Sequence, residues 1–144
     1  MESLWPEEIS KLEAIKSPVS ILKEQASSLG KMTKNILVGE IVPVEVSQPN
    51  SAYRFNILAP LLRNYRYTLF IVNYNILNMY PIYINLDEEI YKEVYYSSEK
   101  EPLKIDNESE LISNLTRIFR SNKVKQILKS LMAESGAMNS GGTR

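Results

Sequence analysis

The residues best equipped for chemistry in this chain are its arginines and tyrosines, and they cluster. All nine tyrosines fall between positions 53 and 96. Inside that span Arg54 stands between Tyr53 and Phe55, Arg66 stands between Tyr65 and Tyr67, and Arg63 lies just before them. Cations interleaved with rings can neutralise phosphate and stack bases, as a single-strand platform does. The same pairing anchors protein partners, because Tyr and Arg deliver large, rigid, amphipathic contacts. A third account needs no function, since tyrosine is a favoured strand residue whose ring packs while its hydroxyl reaches water. Arg54, Arg63, Tyr65, Arg66 and Tyr67 are the candidate partner-binding residues.

Charge separates the first two tasks. The chain carries 17 basic and 17 acidic side chains, with an isoelectric point near 6.4, far from the basic balance of nucleic-acid modules. The run Tyr65-Arg66-Tyr67-Thr68-Leu69-Phe70 also lacks the glycine-containing aromatic signature of RNA-recognition strands. A protein partner or a homodimer is therefore expected ahead of nucleic acid.

Other chemistries are narrowed by what is missing. There is no Cys and no His, which removes disulfides, thiolate metal sites, thiol nucleophiles and every His-dependent triad or zinc motif. The five glycines (30, 39, 136, 141 and 142) form neither a dinucleotide fingerprint nor a P-loop. One acidic cluster remains, Asp87-Glu88-Glu89 with Glu93 or Asp106, which could hold a divalent cation or supply acid and base. Consecutive acids point in different directions on a strand or helix, so a solvated turn is the simpler reading. No cofactor and no metal is expected. The glycosylation sequons at Asn107 and Asn114 are expected to go unused, since Met1–Glu8 does not read as a secretion signal.

The elements that must position these residues follow from periodicity. Pro6 with Glu7 and Glu8 suits a first helical turn, and Trp5, Ile9, Leu12 and Ile15 recur at helical spacing. Ser17-Pro18 opens a second helix with Val19, Leu22, Ala26 and Leu29 on one stripe and Gly30 as its stop. Strands are expected over 35–46, 52–58, 65–73 and 80–86, with Gly39 and Pro43 marking the first as an edge or bulge. Arg63-Asn64 suggests a tight hairpin. Residues 90–96 suit a fifth strand, or a short helix opening at Asp87-Glu88-Glu89. Asn107 with Glu110, then Ser121-Asn122, cap two closing helices, and the small, polar residues 135–144 look like a flexible tail.

The order is helices, strands, helices. It predicts one α+β domain over 1–134, with an antiparallel sheet of four to five strands packed by N-terminal and C-terminal helices. A compact chain of 16.5 kDa exposes roughly 7,500 Å². Residues 67–86 carry no charge, yet Pro81 and four asparagines interrupt them too often for a membrane span. Leu69–Ile76 is uncharged and β-prone, so it belongs in the sheet centre, paired on both sides. The expectation is a cytoplasmic, non-enzymatic binding protein, such as an inhibitor of antitoxin or immunity type, an adaptor or a chaperone. A nucleic-acid module with an Arg/Tyr-rich sheet face is the first alternative, and a carboxylate enzyme using a divalent cation is the second.

Overall fold

A computed structural model of the chain describes residues 1–12, 15–97 and 101–141, without the side chains of 139–141. Helix α1 (Pro18–Met32) precedes strands β1 (Val38–Val44), β2 (Asn50–Ala59), β3 (Tyr65–Asn75) and β4 (Ile82–Leu86). Helix α2 (Glu88–Tyr95), strand β5 (Leu103–Ile105) and helices α3 (Glu108–Phe119) and α4 (Asn122–Gly141) complete the order. The strands form one antiparallel sheet in the order β1-β2-β3-β4-β5. The fold is α+β, and β3 is central.

Directly opposite residues share a sheet face, and faces alternate along each strand. Phe55 on β2 and Phe70 on β3 are opposite, and both rings meet Phe119 of α3, with centroids 5.2 and 6.1 Å away. That face is the core. Ile57, Val72, Ile82, Ile84, Leu86 and Ile105 point the same way and are almost fully buried. Gly39 of β1 lies on this face under Ala26 of α1. The apolar residues Ile127, Leu128 and Leu131 of α4 pack on the same core. One face is therefore covered by helices.

Helix α1 begins as its sequence suggests, with the Ser17 hydroxyl accepting from the Ser20 N–H at 3.3 Å and Pro18 in the first turn. Gly30 does not stop it. The helix runs two residues further, and Lys34 and Asn35 then turn the chain with φ of 53° and 64°.

The helix expected before it does not form. Glu7–Lys11 makes only a 3₁₀ turn, and Trp5, Ile9, Leu12 and Ile15 are all exposed. Helix nucleation is costly without an apolar surface to pack on, and the core face is already occupied. The tight Arg63-Asn64 hairpin is also replaced: Pro60–Leu62 forms a 3₁₀ turn, followed by Arg63 and Asn64 with φ of 57° and 58°.

Two more corrections concern 87–105. Residues 90–96 are not a strand, because the Asp87 carboxylate accepts from the Ile90 N–H at 3.1 Å and starts α2. Ile90, Tyr91 and Val94 then fall on one buried face. The cap and the i, i+4 burial outweigh the strand preference of Tyr and Val. The fifth strand is instead Leu103–Ile105, too short to show a period.

The closing helices are capped across elements. Asn107 accepts from the Glu110 N–H at 2.9 Å, and Glu110 accepts in return from the Asp106 N–H at 2.9 Å, one residue earlier than a standard capping box. Ser121 accepts from the Val124 N–H at 3.2 Å. Glu93 of α2 adds a second cap on α4, accepting from the Asn122 and Lys123 N–H groups at 2.6 and 2.8 Å. Glu93→Ala should cost about 0.5–2 kcal/mol of stability, as lost caps do, with Glu93→Gln between it and wild type in urea midpoint. Equal midpoints for all three would remove this role. Residues 135–141, expected at the start of a tail, continue α4; residues 142–144 lie outside the described residues.

Candidate functional site

The second face of the sheet carries no helix among the described residues. Register places its side chains in rows. Val38, Leu58 and Arg66 make the first row, and Glu40, Asn56 and Thr68 the second. Val42, Arg54, Ile71 and Asn85 make the third, then Val44, Ala52, Asn73, Tyr83 and Lys104 the fourth.

The second row and Arg66 are locked together. Arg66 donates through Nε and Nη2 to the two Glu40 oxygens at 2.9 and 3.2 Å, a bidentate pair. Asn56 donates to Glu40 at 3.1 Å and accepts from the Thr68 hydroxyl at 2.7 Å. The Arg66 guanidinium first, and the Asn56 amide second, hold the Glu40 carboxyl below its ordinary value. Arg66 is thus engaged within its own sheet.

Rows three and four differ. Val42, Val44 and Ile71 are half-buried and Tyr83 is exposed. Arg54 sits between Val42 and Ile71, and among the described residues no carboxylate pairs with it. Lys104 lies 4.0 Å from Asp106, both well exposed, a weak pair. The result is an apolar stretch with Arg54 in its midst, and Tyr83 and Lys104 farther across the sheet.

The five candidate residues do not assemble into one surface. Arg54 and Arg66 share the uncovered face. Tyr65 and Tyr67 point to the helix side, where they line a shallow groove of about 240 Å³ with Lys123, Gln126, Ile127, Ser130 and Leu131 of α4. The Tyr67 hydroxyl donates to Asp87 at 2.6 Å. Burial first, and this bond second, push the hydroxyl well above the ordinary phenol range, so it remains a donor. Arg63 is exposed on the turn between β2 and β3.

The acidic cluster is dispersed among structural partners. Asp87 caps α2 and holds Tyr67; Glu88 pairs with Lys92, Glu89 with Lys123, and Glu93 caps α4. Among the described residues no group of three such side chains converges to hold a metal ion. Nor is any helix among them long and apolar enough to cross a membrane.

Val42 and Ile71 flank Arg54, and Tyr83 and Lys104 share its face on β4 and β5, but none of the four was singled out from sequence. Alternation along β3 from Arg66 passes over Ile71, because the period slips within that strand. There the pairing jumps from Phe55–Phe70 to Asn56–Thr68, leaving Leu69 as an extra residue. Leu69 and Phe70 are both buried in consequence. Compared with protein families, with curated proteins and with solved structures, the chain matches none.

Proposed function

We propose that this chain works by binding a protein partner through the uncovered face of its sheet. One observation carries the reading: Val42, Val44, Ile71 and Tyr83 form a contiguous block around Arg54 that no helix covers among the described residues. An apolar centre with aromatic and arginine anchors is the anatomy of a protein hot spot. The geometry favours protein over nucleic acid, since Tyr65 and Tyr67 lie on the opposite face from Arg54 and Arg66, leaving Tyr83 as the single ring in the rows of that face, and a stacking platform needs several rings beside its cations.

The test compares capture from nuclease-treated lysate by wild type, by Arg54→Glu with Tyr83→Ala, and by Tyr65→Ala. Surface changes of this kind should leave stability within about 0.5 kcal/mol. A stoichiometric partner should be lost with the double variant and kept with Tyr65→Ala. Equal capture by all three would contradict the proposal.

A further inference from the structure

We propose that segment 1–12 of one copy lies on the uncovered sheet face of a second copy, so that two chains exchange arms. This rests on the reading that the sheet face binds protein, and it names the occupant. The segment leaves Leu4, Trp5, Ile9 and Leu12 at 87%, 77%, 50% and 69% exposure. Positions 5, 9 and 12 keep helical spacing, the pattern by which an amphipathic segment reads an apolar surface.

Charge chooses the occupant. The segment carries Glu2, Glu7 and Glu8 against Lys11. The face offers Arg54 between Val42 and Ile71, without a carboxylate partner among the described residues, whereas Arg66 is held by Glu40 and Lys104 lies near Asp106. An acidic apolar segment meets a basic apolar face. Geometry favours a second copy over the same one. Lys16 pairs with Glu24 at 3.1 Å on the exposed side of α1, and α1 covers the opposite face of the sheet. Lys16 therefore lies on the side of α1 away from the uncovered face of its own chain. Reciprocal exchange closes as a two-fold dimer. Two arms, each with a Trp and three aliphatic side chains, bury on the order of 1,000 Å², the threshold for a stable interface. Direct pairing of β1 edges is less suited, because Pro43 lacks an N–H for the ladder.

Trp5 is the one tryptophan in the chain, so its emission reports the arm alone. The experiment follows molar mass by light scattering and Trp5 emission as concentration rises. Dimerisation with a concomitant blue shift is expected. Trp5→Phe with Ile9→Ala, read by mass alone, should weaken it about tenfold or more, as truncated anchors do. Arg54→Glu should weaken it too, and Glu7→Arg with Glu8→Arg should restore part of the loss. A monomer with water-like emission at every concentration overturns the exchange. So does a dimer indifferent to the arm variants, which would place the contact elsewhere, such as the β1 edge. Blue-shifted emission in a monomer also overturns it, by placing the arm on its own chain, and leaves the sheet-face reading standing. That reading fails separately if Arg54→Glu with Tyr83→Ala alters neither self-association nor capture.

Discussion

Val72→Lys is expected to abolish the fold and send the protein into the insoluble fraction. Val72 is 1% exposed on the core face of the central strand, flanked in register by Tyr53 of β2 and Ile84 of β4. Paired strands on both sides and helices above leave an ammonium no short path to water. An unpaired buried charge costs several kcal/mol, against a total stability of about 5–15 kcal/mol for a domain. Unfolding would also free the uncharged, β-prone segment Leu69–Ile76, which then pairs between chains. Solubility and circular dichroism check this directly. A soluble variant with native near-ultraviolet signal would remove Val72 from the centre of the structure.

Gly39→Val is expected to lower the urea midpoint by the equivalent of about 3 kcal/mol or more, the upper range for overpacked sites. A Cβ at position 39 would sit 2.4 Å from Ala26 Cα, 2.7 Å from its Cβ and 2.8 Å from its carbonyl oxygen. Helix backbone cannot swing aside as a long side chain can. Helix α1 must lift from β1, which opens the seam buried by Leu22 and Ala26. Adding Ala26→Gly removes one of the three clashes and should restore little. An unchanged midpoint for Gly39→Val, or full recovery with Ala26→Gly, would contradict this close approach.

Gly39 also shows how far the sequence could be read. It marks an edge strand correctly, yet its main reason is a helix pressed against it, a tertiary fact no local pattern carries. Caps were legible: Ser17, Asn107 and Ser121 do what their side-chain chemistry allows. So was the centrality of Leu69–Ile76, because an uncharged apolar strand needs neighbours on both sides. Helix α2, opening at Asp87, was legible as one of two readings of its stretch, and the strand preference of Tyr and Val kept the other beside it. The stripe Trp5, Ile9, Leu12 has helical spacing and yet stays exposed among the described residues, and periodicity alone cannot tell a packed stripe from an exposed one.

The site was half legible for a related reason. Arg54 and Arg66 were singled out with their flanking aromatics, but neighbours in a strand face opposite ways. Pairing Arg66 with Tyr65 and Tyr67 by adjacency therefore joined residues that the sheet separates. The partner of Arg66, Glu40, is 26 positions away and meets it only through the β1–β2–β3 register.

The central claim is that the uncovered sheet face is the binding surface, and a methyl-resolved NMR footprint tests it most directly. Labelled protein is titrated with the captured partner, or with itself by raising concentration. Shifts should concentrate at Val42, Val44 and Ile71, with core methyls such as Ile57 and Ile84 nearly still. Shifts gathered instead at Ile127 and Leu131, beside Tyr65 in the groove on the helix side, would contradict the account.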